Sequence, residues 1–295
     1  MSMVNKVPGH SQICHALTFD VEDWYQGFIY RQIDGWQRFG SREEKNVQRI
    51  IDLLDETSTK ATFFVLGKFA EQHPAVVKLI SASGHEIASH GHAHTPIPQH
   101  SRASFADDLR RSLDVLQQIT SKRVVGHRAA SWSITRDSLW ALEILAEQGV
   151  EYDSSMFPTS LHKYGMPRAP LHPFRLKVNS NRTIYEFPAQ VLRVGPLNIP
   201  VAGGFYLRAL PLWASKRALM QSAHKKQSGM VYLHPYDLDA DVPRIKVPMA
   251  FRVIRYHNLR KTEIYLRRLL SSFTFSPIKG LLSSITANLP VTQIR

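Results

Sequence analysis

The chain has 295 residues, 43% hydrophobic and 10% aromatic, which suits a large globular core and excludes a disordered or low-complexity protein. No apolar run approaches the ~18 residues of a membrane span, and a single cysteine, Cys14, excludes an internal disulfide. The net charge is +13 and unevenly placed: from Leu207 to Arg295 there are 15 Lys and Arg against only Asp237, Asp239, Asp241 and Glu263.

A basic C-terminal third is either a solvated face or a surface for an anionic partner, such as acidic lipid headgroups, sugar phosphates, an anionic polymer or nucleic acid. Residues 1–14 lack the apolar core of a signal peptide. As it stands the chain is expected in the cytoplasm, or has lost its signal. Cys14 reads as a small buried residue rather than a nucleophile, in keeping with a reducing compartment.

In chain order, His15–Phe19 reads as a buried strand. Ser41 with Glu44 has the form of a capping box, followed by Val47, Ile50, Ile51 and Leu54 at helical spacing. Ala61–Leu66 is a β-rich run closed by Gly67. Pro74 suits the first turn of a helix that Gly84 stops. Glu86–Ser89 is a short strand. Ser104 with Asp107 opens a helix carrying Leu109, Leu113, Leu116 and Ile119; Arg123–His127 is a strand; Arg136–Gln148 is a helix ended by Gly149; Glu151–Asp153 begins another strand. Further on, Thr183–Pro188 reads as a strand, Leu210–Ala223 as a helix, Met230–Pro235 as a strand and Thr262–Leu270 as a basic helix. From Pro277 a mildly apolar tail either docks on the body or touches a membrane. Regular βα alternation predicts an α/β fold with a parallel sheet or barrel.

Just after Glu86–Ser89 come His90, His92 and His94. His90 and His94 are spaced i, i+4, so both imidazoles can aim at one divalent metal such as zinc. A catalytic metal takes three protein ligands and keeps one position open. The apolar run ending in Asp20, Glu22 and Asp23 offers the anionic third ligand. Asp20, His90, Arg128, Asp153 and His234 each follow a strand-like segment, and in a (β/α) barrel those C-terminal strand ends form the active site. His92 is offset to another face. His85, His100 and His127 read as surface or satisfied histidines. Gly203–Gly204 serves either a plain turn or a close backbone approach to substrate or metal.

In order, Thr18-Phe19-Asp20, His90-x-x-x-His94, Arg128-Ala129-Ala130, Tyr152-Asp153-Ser154-Ser155 and Leu233-His234 resemble the five motifs of the polysaccharide deacetylases of carbohydrate esterase family 4, the nodulation-type deacetylases. Two departures stand out: the first motif is not Asp-Asp, and Gly91 replaces a hydroxyl residue. Phe19-Asp20-Val21-Glu22-Asp23, Gly203–Arg208, His234–Asp239 and Tyr256–Thr262 are similar to a subgroup found with bacterial exopolysaccharide and exosortase systems.

The resemblance implies a distorted (β/α) barrel with fewer than eight strands over 15–240. An N-terminal arm over 1–14 precedes it, and a basic extension over 241–295 packs on or beside it. It implies metal-dependent removal of N-acetyl groups from an amino sugar in exopolysaccharide or lipopolysaccharide assembly, with a divalent metal, zinc first among them. Asp20 is then the general base. Arg128 pairs with Asp20 or binds a substrate anion. His90 and His94 are metal ligands with Glu22 or Asp23, Glu22 preferred because strand alternation puts it on the side of Asp20. His234 is the general acid, with Asp153 as its carboxylate partner. Trp24 and Trp132 are candidates for stacking on a sugar ring. The substrate is an N-acetylated carbohydrate, either a finished polymer outside the inner membrane or a lipid-linked or nucleotide-linked precursor at its cytoplasmic face; the basic third, which could meet an anionic surface, favours the second. No nucleic-acid motif is present, and none is expected as a partner. A same-fold hydrolase of a formamide or cyclic ureide, and a non-catalytic sugar-binding protein, are the competing readings.

Overall fold

The structure, a computed structural model, describes residues 13–179, 181–286 and 289–292. Most of the proposed arm 1–14 therefore lies outside the described residues. The first half of the chain alternates: β1 (Cys14–Val21), α1 (Gln26–Tyr30), α2 (Glu43–Glu56), β2 (Thr62–Val65), α3 (Gly67–Gln72), α4 (Pro74–Ala82), β3 (Glu86–Ser89), α5 (Arg102–Thr120), β4 (Gly126–His127), α6 (Trp140–Glu147) and β5 (Tyr152–Asp153). The second half is less regular: β6 (Phe174–Lys177), β7 (Thr183–Glu186), β8 (Val191–Val194), β9 (Leu197–Pro200), α7 (Gly204–Ala209), α8 (Leu212–His224), β10 (Met230–Leu233), α9 (Met249–Tyr256), α10 (Leu259–Leu270), β11 (Thr274–Ser276), α11 (Ile278–Ile285) and β12 (Val291–Thr292).

The α/β architecture is as expected. One sheet runs β10-β1-β2-β3-β4-β5-β7-β6-β12, with β11 also on β1. From β10 to β7 every neighbouring pair is parallel, a series of seven strands. β6 joins β7 antiparallel, and β8 and β9 form a separate hairpin. Among the described residues no hydrogen-bonded pair joins the two ends of the path.

Alternation along β1 divides the core. Leu17, Phe19 and Val21 point into the layer shared with Phe63 and Val65 of β2 and with Val47, Ile50 and Leu54 of α2. Ala16 points the other way, into a cluster with Phe64, Ala88, Trp132 and Tyr152. Burial on both faces is what a parallel strand requires, and burying a side chain such as Phe19 contributes about 2 kcal/mol. The apolar tail docks on the body: α11 buries Ile278, Leu281 and Leu282 in this second cluster. A third cluster, Trp24, Phe28, Val242, Ile245, Tyr256 and Leu259, joins α1 to the α9–α10 region.

Several element boundaries differ from the sequence reading. Ser41 does not cap α2; Arg42 holds the N-cap position, its side chain drawn off to Asp239 at 2.5 Å, and Glu43 is buried. α5 begins three residues early, at a reciprocal Ser101–Ser104 capping box. Arg136–Gln148 is split into a 3-10 turn over Arg136–Ser138 and α6. β4 keeps only Gly126 and His127, because the Val124 N–H is taken by the Gln117 side chain. No helix among the described residues is long and apolar enough to cross a membrane.

Candidate metal centre and active site

Every chemical group predicted at a strand end lies there. Asp20 and Glu22 stand at the end of β1, His90 after β3, Arg128 after β4 and His234 after β10. Parallel pairing of β10, β1, β2, β3 and β4 gathers these ends on one rim.

Glu22, His90 and His94 offer ligand atoms that all lie within 4.8 Å of one another. Glu22 Oε2 is buried and meets only His94 Nε2, at 2.8 Å. His90 donates from Nδ1 to the Arg128 carbonyl at 2.8 Å, which fixes its tautomer and leaves the Nε2 lone pair for a metal. Burial pushes the His90 pKa down to about 4, so the ring stays neutral as ligation needs. Burial opposes charge on Glu22, yet His94, followed by His234 and His90, holds its carboxyl well below the usual range. Two neutral-capable imidazoles and one carboxylate, with a buried carboxylate oxygen otherwise orphaned, fit a divalent metal.

The loop that carries the histidines is shaped by its backbone. Gly91 has φ +74 and His94 φ +58. A hydroxyl residue at Gly91 would be strained, which accounts for that departure from the family pattern. Asp108 of α5 accepts from the N–H groups of His92 and Ala93 at 2.7 and 3.1 Å and pins the loop. Sequence reading missed Asp108; its only signal was a carboxylate in a helix facing a histidine-rich turn. His92 lies outside the cluster, 3.6 Å from Glu71.

Asp20 accepts from Arg128 Nη1 at 2.5 Å. Arg128 is fully buried. It also donates to Thr18 Oγ1, to the Ser154 carbonyl and to Ser154 Oγ at 3.0 to 3.1 Å. Its guanidinium lies over Phe64 at 4.0 Å and Trp132 at 4.3 Å. Thr18 and Asp20 project from the same face of β1, so one cation orders both.

His234 is braced differently from the expectation. Its Nδ1 donates to Asp237 Oδ2 at 2.9 Å, whereas Asp153 pairs with His127 at 2.8 Å and accepts from Ser155. The correction has a plain cause: the 3-10 turn after β10 brings Asp237, three residues on, back over the ring. Asp237 is in turn bound by Arg208 of α7 at 2.6 Å, and Arg208 donates to the His257 and Ile254 carbonyls of the α9 end. Burial alone would lower the His234 pKa; Asp237, with Glu22 and Asp20, raises it above its ordinary value. Arg208 and His234 hold Asp237 strongly ionised against burial. His234 Nε2 faces Glu22 Oε1 at 3.8 Å, and the Tyr236 ring stacks on His234 at 4.6 Å while its hydroxyl donates to Glu22. The i, i+3 spacing of His234 and Asp237 was the available signal.

Three other candidates are buried in packing roles. Asp23 turns inward, not toward the histidines; burial raises its pKa, with Ser41 and Tyr25 close by. Trp24 is fully buried, its Nε1 on the Gly40 carbonyl and its ring among Tyr25, Phe28 and Phe39, so it offers no face to a sugar. Trp132 is 5% exposed, packed between Arg128, Phe157 and Tyr232. The close approach at Gly203 is to the Tyr232 ring, which a Cβ would meet at 2.1 Å. His85 accepts from the Ala61 N–H and His100 contacts Ser104, both structural roles.

Comparison with known proteins gives two consecutive family matches: polysaccharide deacetylase over residues 10–152 and a domain of unknown function (DUF3473) over 154–283. A peptidoglycan deacetylase-like protein of Gibberella zeae is 34% identical over 112 residues, 37% of this chain and 32% of its own. The peptidoglycan-N-acetylglucosamine deacetylase of Bacillus cereus is 29% identical over 96 residues, 32% of this chain and 35% of its own. The chain thus matches about a third of each of these relatives. A solved structure assigned as a polysaccharide deacetylase of Mycobacterium smegmatis shares the fold, with TM-score 0.67 and 21% identity over 98% of this chain and 96% of the other.

Proposed function

We propose that this chain, whose residues 10–152 match the polysaccharide deacetylases, removes N-acetyl groups from an amino sugar used in bacterial envelope polysaccharide, exopolysaccharide or lipopolysaccharide. What carries this reading is the meeting of two kinds of support around Glu22, His90 and His94. An arginine-held carboxylate, Asp20, comes from one side, and a carboxylate-held histidine, His234, comes from the other.

A divalent metal on Glu22, His90 and His94, zinc by the chemistry of these donors, would supply Lewis acidity and an activated water. Arg128 holds Asp20 in place, so Asp20 takes the proton as water adds to the acetyl carbonyl. His234 Nε2, protonated through Asp237, gives a proton to the amine nitrogen as the C–N bond breaks. Acetate and a free amino sugar result. Asp237 and Arg208 act on the sugar only through His234 and are positioning residues.

The basic C-terminal third favours an anionic substrate, a lipid-linked or nucleotide-linked N-acetyl sugar, over a neutral polymer. The test is acetate release by the metal-loaded protein from N-acetylglucosamine oligomers and from nucleotide-linked and lipid-linked N-acetyl sugars, beside formate release from a formamide and ring opening of a cyclic ureide. Release from an N-acetyl sugar is expected. Turnover of the formamide or ureide alone would overturn the proposal.

A further inference from the structure

Helix α9 is amphipathic in the wrong sense for a helix packed on a soluble body. Its inward side carries Arg255, buried, whose guanidinium donates to the Trp24 carbonyl and lies 3.7 Å over the Tyr236 ring. Its outward side carries Met249, Val253 and Ile254, exposed at 69%, 45% and 46%. At 100° per residue these three, with Ala250, form one continuous arc. Phe251, on the inward side, packs on Phe28 of α1 at 5.3 Å, which brings α1 beside α9, and Ile29 of α1 is itself exposed. Exposed apolar residues grouped this way call for an occupant.

The charge around the patch says which. Between Val242 and Thr262 there are six Lys and Arg, all exposed but Arg255, and no acid. Arg244 packs over Tyr256 at 5.1 Å, and Arg31 over Phe251 at 4.6 Å, so basic side chains flank the helix on both sides. Lys246 and Arg252 are exposed beside them. An apolar stripe bordered by cations is the pattern of a helix that lies in the plane of an anionic bilayer.

We propose that the α1–α9 face docks on an anionic lipid surface. The same helix holds the active-site rim: Arg208, anchored on the carbonyls at its end, braces Asp237 and so His234. Docking therefore sets the rim beside the headgroups.

Sedimentation of the full chain with vesicles tests this without any substrate, so it stands or falls apart from the deacetylase reading. Wild type is expected to bind vesicles of equal parts phosphatidylcholine and phosphatidylglycerol, and to lose binding at high salt. Met249→Ser/Val253→Ser should lower the affinity roughly tenfold or more. Arg244→Gln/Arg252→Gln should lower it by a similar factor. Acetate release from a soluble oligomer and the thermal melting temperature should not change in either variant. No binding of wild type, equal binding to pure phosphatidylcholine, or equal binding by Met249→Ser/Val253→Ser would overturn the proposal. So would a concentration-dependent dimer that Met249→Ser/Val253→Ser abolishes, which would give the face to a second copy.

Discussion

The two halves of the chain support the rim in different ways. Up to β5, each functional side chain sits on or directly after a parallel strand, held by its nearest neighbours: His90 by the Arg128 carbonyl, Asp20 by Arg128, and the His90–His94 loop by Asp108. Beyond β5, the contribution narrows to His234, steadied by a relay through Asp237 and Arg208 to the end of α9. In the first arrangement one hydrogen bond or ion pair holds each group directly; in the second a chain of contacts runs from His234 through Asp237 and Arg208 to the end of α9.

The largest break in that comparison should come from the metal side. His94→Ala or Glu22→Ala should lower acetate release by at least about 10⁴-fold, with bound metal lost in parallel. Next, His234→Ala and Asp20→Asn should each lower kcat by about 10²- to 10⁴-fold while metal content stays at the wild-type level. Loss of metal in His234→Ala would make His234 part of the metal site rather than only the acid beside it.

A third substitution separates Asp237 from Asp153. His234 must be protonated to act as an acid, so activity falls as pH rises through its raised pKa. Asp237→Asn removes the main raising cause, and the alkaline limb of the kcat profile should move to lower pH, with a roughly 10- to 100-fold loss at neutral pH. Asp153→Asn should leave that limb in place and instead lower stability by about 1–3 kcal/mol, because both Asp153 oxygens accept from His127 and Ser155 and an amide NH2 cannot. An unmoved limb in Asp237→Asn would remove Asp237 from the relay.

The smallest effect concerns Glu43, buried behind the rim. Burial first, then the nearby Asp23, raise its pKa well above the ordinary value. Its native carboxyl therefore keeps a proton that the unfolded chain gives up, so it costs stability as pH rises above the unfolded pKa. Glu43→Gln should be stabilising by on the order of 1 kcal/mol at neutral pH, about 2–4 °C in melting temperature. The gain should vanish below pH ~4.

How much of this was legible follows the same division. Strand-end placement of Asp20, His90, Arg128 and His234 could be read from apolar runs that stop at polar residues, because a buried parallel strand has few other ways to end. The inward turn of Asp23 could not, since it depends on where β1 stops being a strand. Nor could the pairing of Asp153 with His127, which requires knowing that β4 and β5 are in register at those two residues. Trp24 and Trp132 read as sugar platforms only while the third core cluster and the Arg128 sandwich were out of view. Arg208 stood inside the Gly203–Arg208 stretch, yet its role could not be read there, because its partners are Asp237 and the end of α9, the latter almost fifty residues along the chain.

Metal content tests the central claim most directly. Wild type, Asp23→Asn, Glu22→Gln and His234→Ala would be loaded with zinc, desalted and assayed by mass spectrometry. The geometry predicts about one equivalent in wild type, Asp23→Asn and His234→Ala, and a loss in Glu22→Gln. No metal in wild type, or metal retained in Glu22→Gln but lost in Asp23→Asn, would contradict it.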